Sequence, residues 1–299
     1  MPIKSFSFKY VLFCSVMFFL FGHMSAQTKR AFVVGISDYI QSGENNWGTI
    51  HGANDGELIT STLKKQGFKV TKLSNKAATA SRIRKGMNSL IASCRKGDVM
   101  YVHFSCHGQP YEDLNGDEED GWDESIVPYD ALMVYSKGKY EGANHITDDE
   151  LHLFFQRIRR AAGENGFVFV VIDACHAGGA SRGDDDVDED EIFVRGTRKG
   201  FSPRDKEFRP RINSKGHFLI TQEVGLANIV ILEACRSYQS NYEIKQSGSY
   251  YGPLSYYVSQ VLSKTTILTN MEWVLKVKKL MDSDRRLTRQ NMVYETSLK

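Results

Sequence analysis

Four short, nearly continuous apolar runs constrain this chain most: Ala31–Ile36 (AFVVGI), Val99–Phe104 (VMYVHF), Phe167–Ile172 (FVFVVI) and Asn228–Leu232 (NIVIL). A strand that is apolar on both faces must be covered on both, as in a parallel sheet enclosed by helices. Helical periodicity fills the intervals. Asn54–Gln66 puts Leu58, Ile59 and Leu63 on one side and stops at Gly67. Ser81–Cys94 follows, with Ser81 as cap and Ile83, Met87, Leu90 and Ile91 at helical spacing. Thr147–Ala162 opens with capping-box spacing between Thr147 and Glu150. Phe68–Leu73 reads as one more strand, and Pro253–Leu262 and Met271–Met281 as two more helices. The alternation predicts an α/β fold, a mostly parallel central sheet with helices on both faces. Ligands of such sheets bind beyond the carboxyl ends of the strands.

Two of those ends carry reactive side chains. Ser105-Cys106-His107-Gly108 follows one apolar run, and Asp173-Ala174-Cys175-His176-Ala177-Gly178 follows another. A thiol needs a base to become a thiolate at neutral pH, and an imidazole supplies one. Gly108 lets the backbone approach a substrate closely. The backbone N–H groups of Gly108 and Cys175 are candidates for holding an oxyanion. Residue types alone leave Cys106 as a rival nucleophile and His176 as a rival base. Each adjoins the other candidate of its own segment, and adjacent side chains on an extended backbone point apart. His103, inside a strand, reads as a core residue.

The ends of the chain and its charge narrow the class. Lys4 and Lys9 precede an apolar run from Tyr10 to Gly22, and a short polar stretch leads to Ala26. That is the layout of a secretory leader, residues 1–26, and the run is short for a membrane span. Loss of its two lysines takes the formal charge from +2 to zero, which gives no reason to expect a nucleic-acid or membrane partner. Export follows, to a periplasm or the outside, with no stable membrane insertion once the leader is removed. Cys94, Cys106, Cys175 and Cys235 remain and show no zinc-type spacing. Ser181–Gly216 starts acidic (DDDVDEDE), turns basic, holds few apolar residues and reads as an exposed, poorly ordered loop.

At this point the order of motifs becomes specific. AFVVGISDY, GANDGELI, SCHG, DGWDESIVPYD, ITDDEL, DACHAG and LEACRSYQSNYE succeed one another across nearly all of the mature chain. In that order they resemble the caspase-like cysteine peptidases, and within them the metacaspases. The resemblance implies one domain over 27–299, with the loop 181–216 between a large and a small portion. It implies Cys175 as nucleophile and His107 as base. It also places Asp55, Ser105 and Asp173 in the pocket that receives the residue before the cut bond, and so implies cleavage after Arg or Lys. The physical reading agrees, because two converging carboxylates favour a cation and exclude an acid. Asp55 is expected to contribute less than Asp173 if it sits further out.

Self-cleavage in the long loop is expected at Arg195, Arg198 or Lys199. Metacaspase resemblance further implies calcium near Asp123, Asp148, Asp149 and Asp184. Oxygen ligands suit that ion, although exposed carboxylates are commonly just solvated. No organic cofactor is needed. The expected partners are protein or peptide substrates bearing Arg or Lys, and the chain is expected to be a monomer. The alternative reading is a catalytically silent protein of the same fold that binds basic peptides or calcium.

Overall fold

A computed structural model describes residues 27–43, 45–176 and 192–298. The expected leader and Asp184 lie outside the described residues. Seven strands form the main sheet. They are β1 (Lys29–Gly35), β2 (Lys69–Ser74), β3 (Val99–Ser105), β7 (Phe167–Asp173), β8 (His217–Leu219), β9 (Asn228–Glu233) and β12 (Val293–Thr296), in spatial order β2-β1-β3-β7-β9-β12-β8. The first five of that order run parallel; β12 is antiparallel to β9, and β8 is parallel to β12. The sheet is therefore mostly parallel, as the apolar runs predict, with a reversed edge that those runs do not reveal.

Alternation along the strands sends side chains to two cores. Phe32, Val34, Val102, Val168 and Val170 face α2 (Ala80–Ser93) and α3 (Asp148–Ala162), which supply Ile83, Met87, Phe154 and Ile158. Ala31, Val33, Tyr101, Phe169 and Val171 face α1 (Gly52–Lys65), α4 (Pro253–Leu262) and α5 (Glu272–Ser283), which supply Ile59, Leu63, Val258 and Trp273. Each fully buried side chain of this kind contributes about 1.5–3 kcal/mol by leaving water. Both faces are covered, which the continuous apolar runs demand.

Two helix starts differ from expectation. Thr79, not Ser81, caps α2, its hydroxyl accepting from the backbone N–H of Arg82. Thr147 caps α3, but the Glu150 carboxylate turns outward to form a bidentate pair with Arg84, both contacts at 2.8 Å. A guanidinium fork outcompetes the single backbone N–H that a capping box would offer.

Three short strands were not legible in hydrophobic pattern. β4 (Gly108–Glu112), β5 (Trp122–Ile126) and β6 (Ile146–Thr147) make a small antiparallel sheet beyond the carboxyl end of β3. A hairpin, β10 (Ile244–Gln246) with β11 (Ser249–Tyr251), lies before α4. Among the described residues no helix is long and apolar enough to cross a membrane.

Candidate active site

Strand register brings the two reactive segments together. Gly35, Ser105 and Asp173 stand at one level across β1, β3 and β7. His107 and Cys175 each lie two residues further on, so they leave the sheet edge side by side, as the motif spacing predicts. The His107 ring is packed against Tyr39 and Trp47, with both ring centroids 5.0 Å away. Its Nε2 pairs with the Gly48 carbonyl at 2.8 Å, which fixes that nitrogen as the N–H donor. Nδ1 has no hydrogen-bond partner among the described residues. Burial lowers the His107 pKa to about 4, so the ring is neutral and basic at Nδ1 near pH 7. The Cys175 thiol is buried and donates to the Gln239 carbonyl at 2.8 Å.

The surroundings of Cys106 and His176 are less suited to the roles of nucleophile and base. Cys106 is buried, and desolvation pushes its thiol up to about 12. Burial works against charge on His176, yet the Glu124 carboxylate 3.0 Å away outweighs it and lifts its pKa to about 9. A protonated imidazole cannot serve as base. His103 is a core residue, as expected, with Nε2 3.0 Å from the Ser255 hydroxyl. The four cysteines of the described chain are not in disulfides.

Asp55, Ser105 and Asp173, expected together from the sequence, do come together, around one of the chain's own arginines. Arg195 is fully buried. Its Nη2 lies 2.7 Å from Asp55 Oδ2 and 2.7 Å from Glu243 Oε1, and its Nη1 lies 2.6 Å from the Ser105 hydroxyl. Asp173 is further away, at 3.7 Å. Its oxygens are already engaged: Oδ1 accepts from Asn241, and Oδ2 accepts from the backbone N–H and hydroxyl of Ser255. The ranking therefore differs from the sequence expectation. Asp55 makes the close contact, and Asp173 braces the pocket wall. Burial opposes the charge of Arg195, but Asp55, Glu243 and Asp173 outweigh it and raise its pKa above the usual guanidinium value. Burial lifts Asp55 to about 7 against the pull of Arg195. Gly252 lines the same pocket, where an added Cβ would come within 2.3 Å of Asp173 Oδ2 and 2.4 Å of Arg195 Nη1.

The backbone of Arg195 is held as firmly as its side chain. Its carbonyl oxygen accepts from the N–H of Cys175 at 2.9 Å and from that of Gly108 at 3.2 Å, the two donors expected of an oxyanion hole. Its N–H donates to Asn241 O at 3.0 Å, and Glu243 N donates to Phe193 O at 3.0 Å. Residues 193–195 thus join the 241–243 segment as an added antiparallel strand, bridged at Val194 and Tyr242. Gly196 sits over Cys175, and a Cβ there would fall 1.9 Å from the Cys175 carbonyl oxygen.

Within the described part, 192–216, this arrangement corrects the reading of 181–216 as an exposed, poorly ordered loop. Arg195 and Phe201 are fully buried. The charge pattern misled because three carboxylates from elsewhere in the fold compensate Arg195. Arg198 and Lys199 are exposed and lie outside the pocket. Glu243, Gly252, Tyr39 and Gly48 were not identified from sequence. Tyr39 and Glu243 do fall inside recognisable segments, AFVVGISDY and LEACRSYQSNYE.

The acidic residues separate into two sets. Asp113, Asp117 and Asp123 bring carboxylate oxygens within 4.8 Å of one another. Asp123 is only 7% exposed, and burial with the neighbouring Asp113 and Asp149 charges raises it to about 7. Asp148 instead accepts from the Glu124 N–H at 3.1 Å, and Asp149 from Asn115 at 2.8 Å. Of the expected cation residues that are described, only Asp123 belongs to the close group.

Comparison with known proteins agrees with this architecture. Residues 28–299 match the caspase domain of the C14 peptidases. The chain is similar to metacaspase-1 of Mycosarcoma maydis, 24% identical over 295 residues, covering 87% of this chain and 69% of that protein. It is 38% identical to metacaspase-1B of Neurospora crassa over 102 residues, 34% of this chain and 21% of the other. For such shorter matches the aligned part spans about a fifth to a quarter of the relative. A solved structure, protein GSU0716 from Geobacter sulfurreducens, shares the fold with a TM-score of 0.61 at 18% identity, covering 90% of this chain and 93% of that one. With His107 and Cys175 just beyond the ends of adjacent parallel strands and the family match running over residues 28–299, the chain belongs to the caspase-domain peptidases.

Proposed function

We propose that the protein is a cysteine endopeptidase that cuts after Arg or Lys, and that its first substrate is its own Arg195–Gly196 bond. One observation carries the reading: the Arg195 carbonyl lies between the N–H groups of Cys175 and Gly108 while its guanidinium lies among acids. That is how a substrate about to be attacked should sit. In the reaction the Cys175 proton leaves Gln239 O and passes to His107 Nδ1. The thiolate attacks the carbonyl carbon, and the two N–H groups hold the charge that develops on oxygen. His107 then protonates the Gly196 nitrogen, and water hydrolyses the acyl-enzyme. Arg should be preferred over Lys, since a guanidinium reaches Asp55, Glu243 and Ser105 together.

Until the bond is cut, Arg195 excludes other substrates from the pocket. The chemistry of Asp113, Asp117 and Asp123 suits calcium, three hard oxygen donors with mutually repelling charge. Bound there, calcium would neutralise those carboxylates and order the segment leading to Glu124, the partner of His176; no step at the scissile bond needs it. We further propose that the protein is exported and monomeric.

The test is to compare the purified wild type with Cys175→Ala. The wild type should accumulate two fragments, by mass spectrometry one ending at Arg195 and the other beginning at Gly196, and the variant should stay whole. An intact wild type in both calcium and chelator, or cuts only elsewhere, would refute the proposal. Fragments from Cys175→Ala but none from Cys106→Ala would mean the wrong nucleophile.

A further inference from the structure

The segment that fills the pocket also displays a side chain two residues before Arg195. On an added strand, Phe193 and Arg195 point to the same side and Val194 to the other. The Phe193 ring enters a cleft made by two other rings. It meets His51 edge-on, centroids 4.6 Å apart at 89°, and Tyr250 at 4.8 Å and 65°. His51 and Tyr250 are themselves stacked, 5.0 Å apart at 26°.

The cleft is anchored on both sides. The His51 N–H donates to Glu243 at 2.7 Å, and its ring Nδ1 pairs with the other Glu243 oxygen. Tyr250 lies in the hairpin, and its carbonyl accepts from Asn54 at 3.2 Å. Glu243 thus holds the arginine with one oxygen and positions a wall of the aromatic cleft with the other. Edge-to-face packing favours an aromatic ring over an aliphatic chain of similar size.

We propose that His51 and Tyr250 form a specificity subsite for an aromatic side chain two residues before the cleaved arginine. The preferred substrates supplied in trans are then extended segments of the form aromatic–any–Arg. The inference rests on the reading of Arg195 as the residue before the cut.

The test uses fluorogenic tripeptides, acyl-Phe-Val-Arg, acyl-Leu-Val-Arg and acyl-Ala-Val-Arg, with acyl-Phe-Val-citrulline as the neutral control. The self-processed protein should give kcat/KM about tenfold or more higher for Phe than for Ala, with Leu between. Tyr250→Ala should collapse the Phe-to-Ala ratio. Tyr250→Phe should keep it, because the Tyr250 hydroxyl has no hydrogen-bond partner among the described residues. Efficient arginine cleavage with equal rates for the three peptides would overturn the subsite and leave the arginine reading intact. Equal turnover of arginine and citrulline peptides would overturn both. If Tyr250→Ala does not fold, the wild-type ratio and Tyr250→Phe decide.

Discussion

Replacing the pocket acids one at a time by their amides should separate those that hold the substrate cation from those that hold the pocket. Asp55→Asn and Glu243→Gln each remove one of the two carboxylates 2.7 Å from the guanidinium. Losing one partner of a desolvated ion pair costs on the order of 2–5 kcal/mol. The other close acid remains in each single variant, so the lower part of that range applies. About 2–3 kcal/mol corresponds to roughly 30- to 150-fold in kcat/KM on an arginine peptide. Asp173→Asn should behave differently. Its carboxylate lies 3.7 Å from the guanidinium and accepts hydrogen bonds from Asn241 and Ser255. The loss in kcat/KM should stay under about tenfold, and the larger effect should fall on stability, where an impaired buried network costs about 1–3 kcal/mol. The assay is the ratio of arginine to citrulline turnover for each variant, beside denaturant unfolding of the same preparations. A ratio that falls further in Asp173→Asn than in Asp55→Asn, at unchanged stability, would refute this division of labour.

Three more outcomes are expected. Gly196→Ala should suppress self-cleavage, because the added Cβ would sit 1.9 Å from the Cys175 carbonyl oxygen; normal fragment yield on a gel would contradict the docked geometry. With His107 held neutral above about 4, the acid limb for arginine peptides should reflect Asp55, which burial raises to about 7 with Arg195 in the pocket and further once that cation has left. Protonation below that pH removes the negative charge, so kcat/KM should fall as pH falls. Asp55→Asn should lose this limb, and a profile unchanged by the substitution would exclude Asp55 as its source. Asp123→Asn should raise the calcium concentration for half-maximal activity by about tenfold or more, and full wild-type activity in excess chelator would remove the role of the ion.

The parts legible in sequence are those fixed by local pattern. The buried parallel strands announced themselves as continuous apolar runs, and the glycine-bearing strand ends marked where chemistry would lie. β12 and β8 escaped because Val293–Thr296 and His217–Leu219 are three or four residues long and only partly buried. Asp55, Ser105 and Asp173 lie in or beside recognisable motifs, so the family resemblance could assign them to the pocket. Asp173, two residues before Cys175, is also expected on the same strand face. Glu243 could not be placed there, because its role depends on the 241–243 segment folding back beside residues 193–195. Arg195 was named as one of three basic residues open to cutting. Only the fold distinguishes it from Arg198 and Lys199, by bringing three distant carboxylates around one guanidinium.

The strand that Arg195 adds to the 241–243 segment has a kinetic consequence. Nineteen residues separate it from Cys175, so under the proposed self-cleavage the new C-terminus would stay on the same covalent chain as the nucleophile. A covalent tether of that length keeps its end at an effective concentration on the order of millimolar. Under that proposal, cutting would convert an intact plug into a tethered product that competes with every incoming substrate. Turnover on other proteins would then be governed by how readily the leashed end is displaced, and trimming the leash should raise activity without touching the pocket.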